Sequence, residues 1–229
     1  VVAFRMLPKA VWEMPEFGTF NLHASLLPNY RGAAPINWAI INGEEKTGVT
    51  TFFIDDKIDT GATILSKEVA ISSEENAGNL HDTLMNLGSE AVLETLHVIE
   101  NGNANPKVQI DAADIKTAYK LNKENCKIDW TKSGKEIHNL IRGLSPYPAA
   151  WTYFADKDQE WNVKIYEARF IGEIHSETIG RITTTKKEMK IATKDGYIEI
   201  VQLQFPGKKN LKTFELLNGI SFSEEAKAF

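Results

Sequence analysis

Residues 20–36 read FNLHASLLPNYRGAAPI, and the order of residue types in this stretch decides the fold class. Phe20, Asn21, Leu22 and His23 alternate apolar and polar, so an extended segment turns Phe20 and Leu22 to one face and Asn21 and His23 to the other. A loop holding Pro28, Asn29 and Gly32 follows, and Pro35 is suited to open a helix. Strand, loop and helix in succession make the repeat of an α/β sheet. In such sheets ligands bind beyond the carboxyl ends of the strands, which is where Asn21 and His23 present an amide and an imidazole to one space.

The same rhythm extends on both sides. Apolar residues 1–4 read as a buried strand, residues 8–12 as a short helix, 19–23 as a strand, and residues 48–55 and 62–71 as two more strands beyond the helix at Pro35. A long helix then carries Leu80, Leu84, Leu87, Ala91 and Ile99 near helical spacing, with Asn79 near its start and Gly102 past its end. The apolar run at Val1, with no Met before it, is read as the start of an N-terminally truncated chain. Residues 103–118 are polar, contain Pro106 and keep no period; they read as a linker between a first domain over 1–102 and a second over 119–229. In the second, a helix over 133–144 precedes short strands at 151–154, 163–170, 180–184, 189–193 and 197–204, and a terminal helix at 213–218. Five short strands at close spacing suggest a small barrel.

Composition narrows the function. With 229 residues, 42% hydrophobic and 25% charged, the chain has the profile of a globular protein, and no apolar run approaches the roughly 20 residues that span a bilayer. Its one cysteine, Cys126, has no internal disulfide partner and no Cys/His ligand spacing around it, which implies a reducing, cytoplasmic setting and no metal. Up to residue 118 there are 8 basic against 16 acidic residues; beyond it there are 18 against 15. A mildly basic barrel suits nucleic acid, although charge alone fits an ordinary solvated barrel equally well. Lys186 with Lys187, and Lys208 with Lys209, are its densest basic pairs.

Residues 48–61, GVTTFFIDDKIDTG, supply the next candidates. Three acids in five residues, Asp55, Asp56 and Asp59, are costly to bury together. Local sequence favours a turn for Asp55 and Asp56, while Asp59 is placed to meet His23. Ser25 lies two residues after His23 but lacks a nucleophile elbow, so acyl-enzyme chemistry is not indicated. Leu26 and Leu27, bordered by backbone amides, suit a planar lipophilic ligand.

Taken together, NLHASLLPNYRGAAPI, the Asp of DTG 36 positions after His23, and the segment IDWTKSGKEIHNLIRGLSPYPAAW resemble the folate-dependent formyltransferases, in particular the branch that formylates methionyl-tRNA. The resemblance spans nearly the whole chain. It implies the C-terminal half of a Rossmann-like sheet followed by an OB-like barrel, with 10-formyltetrahydrofolate as donor and initiator methionyl-tRNA as acceptor, in a monomer. It implies further that Asn21 and His23 donate to an oxyanion, and that Asp59 accepts from His23, raises its pKa and helps remove the proton of the attacking amine. On the same basis Ser25, Leu26, Leu27 and Pro28 bind the folate and residues 57–61 wall the pteridine, while the barrel's densest basic pairs, Lys186 with Lys187 and Lys208 with Lys209, are expected to hold RNA, the resemblance continuing through PGKKN at the second pair. Transfer to a small amine, or a tRNA-binding fragment without catalysis, would use the same segments differently.

Overall fold

The computed structural model describes residues 7–110 and 113–229; the strand expected over residues 1–4 lies outside them. Two compact units are present. The first holds the described residues up to Leu121 except Ile40–Gly43 and Asn76–Gly78, which group with Asn122–Phe229 in the second.

Up to Leu121 run α1 (Lys9–Trp12), β1 (Phe20–His23), β2 (Arg31–Gly32), α2 (Pro35–Ile41), β3 (Lys46–Phe53), β4 (Thr63–Ala70), α3 (Ala77–Glu100) and β5 (Thr117–Ala118), all in the first unit but for the end of α2 and the start of α3. Central β3 is antiparallel to both neighbours, pairing Thr50 with His23 of β1 and with Ser66 of β4. The chain reverses between β3 and β4 through a loop instead of crossing over on a helix, and so this part of the sheet is not parallel. Thr47 through Phe52 are all buried, as befits a strand covered on both faces. Its hydroxyls find partners: Thr51 Oγ1 lies 2.8 Å from Thr95 Oγ1 of α3.

Helix α3 buries Leu80, Leu84 and Ala91, members of the stripe read from the sequence. It approaches β1 at Gly88, where a Cβ would stand 2.7 Å from Leu22 Cδ2. Leu22 thereby faces the helix, and strand alternation sends Asn21 and His23 to the opposite face.

Residues 103–118 do more than link. Lys107 exchanges both backbone hydrogen bonds with Thr63 at 2.9 Å, β5 pairs in parallel with β2, and Tyr30 N donates to Lys116 O at 2.6 Å. Backbone pairing needs no apolar period, so a segment that reads as a linker by composition forms a strap on the first unit.

The second unit comprises α4 (Gly134–Gly143), β6 (Ala150–Asp156), β7 (Gln159–Gly172), β8 (Ile182–Thr184), β9 (Met189–Thr193), β10 (Gly196–Gln204), β11 (Leu211–Lys212), α5 (Thr213–Leu217) and β12 (Lys227–Ala228). Helix α4 starts at a capping box: Ser133 Oγ accepts from Glu136 N, and Ser133 N donates to Glu136 Oε2. The strands form one antiparallel sheet in the order β12-β6-β7-β10-β9-β8, with β11 on β10. Ile182 N donates to Ala226 O and Ala228 N to Gly180 O, so the ends of the sheet meet and a nearly closed barrel results. Burial alternates along β6, and Phe154, Val163, Ile165, Met189, Ile191, Ile198 and Ile200 fill the interior. Cys126, in the turn over 123–126, is buried, and its burial pushes the thiol pKa up, away from reactivity. No described helix is long and apolar enough to cross a membrane.

Candidate active site

At the carboxyl end of β1, His23 and Asp59 come together. The imidazole is buried, with 8% of its side chain exposed, and Asp59 retains 15%. Nε2 of His23 lies 2.7 Å from the Tyr30 carbonyl, which can only accept, so Nε2 carries the proton. Nδ1 faces Asp59 Oδ2 at 3.7 Å, longer than a hydrogen bond.

The carboxylate is fixed from its other side. Gly32 N donates to Asp59 Oδ2 at 3.0 Å. Gly32 has φ +121°, and a Cβ there would stand 2.5 Å from Ala118 O, so only glycine brings this N–H to the carboxylate beside β5. Asp59 itself is left-handed, with φ 55°, and so is Tyr30, with φ 61°. Both residues that address His23 therefore hold backbone conformations that cost energy and depend on the surroundings to persist.

Asn21, two residues before His23, presents an amide whose buried Oδ1 has no hydrogen-bond partner among the described residues. A buried polar atom without a partner is an expensive feature in a fold that satisfies its neighbours.

The Leu loop is anchored by its polar ends. Ser25 is fully buried and donates to Asn29 O at 2.6 Å; Thr50 Oγ1 donates to Ser25 O at 2.7 Å and accepts from Leu27 N at 3.3 Å. Ser25 is thus committed to shaping the loop through its hydroxyl, whereas Leu26, Leu27 and Pro28 stay half-buried with surface left to give. A cavity of about 160 Å³ beside Leu26 is lined by Tyr30, Glu44 and Lys116, too small for a folate and occupied by charge pairing among its walls.

The sequence-read acids separate as their roles differ. Asp55 forms a turn, accepting from Lys57 N at 3.0 Å and from Thr60 Oγ1 at 2.8 Å, and Asp56 is exposed. Sequence reading missed Tyr30 O, Gly32 N, Thr50 and Gln109, because backbone groups carry no sequence signal and Gln109 sits in the polar stretch taken for a linker. The sequence expectation gives an imidazole N–H of His23 to an oxyanion; in the structure Nε2 lies 2.7 Å from Tyr30 O and Nδ1 faces Asp59.

Lys186 and Lys187 lie exposed in the turn between β8 and β9, and Lys208 and Lys209 in the turn after β10. The four stand in two separate turns of the second unit. Thr185 Oγ1 holds the first turn, accepting from Lys187 N and Glu188 N, and Lys208 N donates to Phe205 O in the second.

Residues 1–96 match the family model described as formyl transferase, and residues 120–221 match formyl transferase, C-terminal domain. The methionyl-tRNA formyltransferase of Flavobacterium johnsoniae is 70% identical over 229 residues, covering all of this chain and 73% of its own length. The chain belongs to the methionyl-tRNA formyltransferase family. A second member, from Bacteroides thetaiotaomicron, is 50% identical over 232 residues, covering 99% of this chain and 72% of its own. Outside the methionyl-tRNA formyltransferases, an N-formyltransferase from Helicobacter canadensis solved with folinic acid and dTDP-3-aminofucose superposes with a TM-score of 0.62 at 25% identity, over 79% of this chain and 64% of that one. HypX from Aquifex aeolicus, solved with tetrahydrofolic acid, shares the fold at a TM-score of 0.69 and 21% identity, over 94% of this chain and 37% of that one.

Proposed function

We propose that this chain transfers a formyl group from 10-formyltetrahydrofolate to the amino group of initiator methionyl-tRNA, with Asn21, His23 and Asp59 as its catalytic residues. Identity of 70% to a methionyl-tRNA formyltransferase over the whole chain is the observation that carries the reading. The 25% identity to an N-formyltransferase solved with dTDP-3-aminofucose is a weaker argument for a small amine acceptor.

The residues present fit the donor. The half-buried Leu26, Leu27 and Pro28 offer apolar surface to a flat ring system, and the unpartnered Asn21 amide offers a hydrogen bond to a group brought in from outside. When bound, the donor supplies an electrophilic formyl carbon whose oxygen gains negative charge as the amine adds. Asn21, turned so that its NH₂ meets that oxygen, stabilises this charge, and a single donor of this type is worth about 2.7–4 kcal/mol of barrier. His23 has one nitrogen left for chemistry. With Nε2–H on Tyr30 O, neutral Nδ1 accepts the proton that the amine sheds as its nitrogen bonds to carbon. The resulting imidazolium, with the Tyr30 carbonyl on Nε2 and Asp59 opposite Nδ1, returns that proton to the folate nitrogen as the bond from it to the formyl carbon breaks, so that tetrahydrofolate leaves as a neutral amine and the formamide remains on the acceptor.

The same reading assigns Lys186, Lys187, Lys208 and Lys209 to tRNA phosphates, the first domain to catalysis and the second to RNA, in a monomeric cytoplasmic enzyme. The test is formylation of methionyl-tRNA with labelled 10-formyltetrahydrofolate, by the complete gene product and by these 229 residues. Label in the aminoacyl-tRNA supports the reading. Transfer only to small amines by the complete product overturns it.

A further inference from the structure

The extended segment around residue 109 is turned inside out. Val108 and Ile110 are 82% and 80% exposed, while the polar Gln109 between them is half-buried. Apolar burial alone would set the opposite register, since each β-branched side chain gains by leaving water. The hydrogen bonds of Gln109 account for the choice. Its Oε1 accepts from Arg31 Nε at 3.0 Å and Arg31 Nη2 at 2.8 Å; its Nε2 donates to Asp59 O at 3.0 Å and Gly61 O at 2.8 Å. Both lone pairs and both hydrogens of the amide are used.

The targets of those bonds matter. Asp59 O and Gly61 O flank Thr60, and holding both carbonyls on one NH₂ fixes the loop in which Asp59 is left-handed. Arg31 precedes Gly32, whose N–H binds the Asp59 carboxylate. One side chain thereby ties the backbone of Asp59 to the residue beside the donor that orients its carboxylate.

We propose that Gln109 is a positioning residue for the proposed formyl transfer, holding Asp59 opposite His23 Nδ1 by clamping the carbonyls of Asp59 and Gly61 to Arg31. The inference rests on the catalytic reading of His23 and Asp59. Gln109 touches neither substrate nor the reacting atoms; it acts through Asp59. Without the clamp the left-handed loop relaxes, and a misplacement of about 1 Å at a catalytic group costs roughly a hundredfold in rate.

Three variants of the complete enzyme test this. Gln109→Ala removes the clamp. Gln109→Glu keeps the shape and the Arg31 contact but sets an oxygen against the two carbonyls. Gln109→Met keeps the bulk without the polar atoms. The readouts are kcat and KM for both substrates, the thermal midpoint, and hydrogen–deuterium exchange over residues 55–63, which needs no activity. The expected result is faster exchange in that loop for all three, with kcat lowered about 10- to 100-fold, KM for methionyl-tRNA within about twofold, and a thermal midpoint within a few degrees of the parent. Should Gln109→Ala fail to fold, the isosteric Gln109→Glu decides. Unchanged exchange in the loop overturns the clamp whatever the substrate proves to be. Faster exchange with unchanged kcat in an enzyme that does formylate methionyl-tRNA overturns the positioning role. A parent that formylates only another amine overturns the acceptor assignment and leaves the exchange result to judge the clamp.

Discussion

The imidazole of His23 and the amide of Asn21 differ in what the fold has already taken from them. His23 gives one nitrogen to Tyr30 O, whereas Asn21 gives Oδ1 to no described residue. Replacing each therefore separates chemistry from stability. Asn21→Ala removes a buried polar atom that no bond offsets, so its thermal midpoint should hold or rise while kcat falls about 10²- to 10³-fold. His23→Ala should lower kcat by about 10²- to 10⁴-fold and leave tRNA affinity nearly unchanged, because its proton is taken only as the amine adds. Steady-state kinetics beside a tRNA-binding titration checks both, and parallel losses in turnover and binding would make His23 a structural residue. For the leucine loop, Leu27→Asp should weaken donor binding by about tenfold or more, since a carboxylate is set against an apolar ring system; a folate titration followed by protein fluorescence measures it.

At the scale of elements, a carboxylate ties the end of β6 to the segment that leads into β12. Asp156, the last residue of β6, accepts from Ser223 Oγ and, at 2.9 Å, from Ser223 N, and these hydrogen bonds hold its carboxyl below the usual Asp range. A depressed carboxyl pKa contributes stability that is present above the unfolded value of about 3.9 and is lost as pH falls through the folded value. Denaturant unfolding from pH 6 down to pH 2 should thus show a decline below about pH 4 that Asp156→Asn reduces, with the variant less stable than the parent at pH 6. A parallel decline in both proteins would detach Asp156 from the acid response. The long elements were legible because their signals are local: the stripe of Leu80, Leu84 and Ala91 is written in neighbouring residues. The two-residue strands β2, β5, β11 and β12 were not, since each exists only through a partner elsewhere in the chain.

For the molecule as a whole, charge divides as the domains do, and the four exposed lysines belong to the more basic second half. Their turns are held by backbone and Thr185 hydrogen bonds, so Lys186, Lys187, Lys208 and Lys209 can all become Ala without loss of fold. Each lysine that neutralises a phosphate releases counterions, so the quadruple variant should bind initiator tRNA more weakly, with its log Kd against log salt slope flattened by about one unit for each lysine that meets a phosphate. Turnover at saturating methionyl-tRNA should persist. An unchanged slope would move the RNA surface to another part of the barrel. By itself the sequence determined the strand–loop–helix order and the barrel's alternating strands, because these are recorded in local period, and it offered Asn21, His23 and Asp59 as candidates through two short motifs. Only the tertiary structure decided which nitrogen of His23 is free, that Ser25 is spent on its own loop, and that Gln109 turns inward between two exposed apolar neighbours. Those outcomes depend on contacts between residues 4 positions apart for Ser25 and Asn29, 7 for His23 and Tyr30, and 78 for Arg31 and Gln109, and a backbone group has the same chemistry at every position until folding gives it a neighbour.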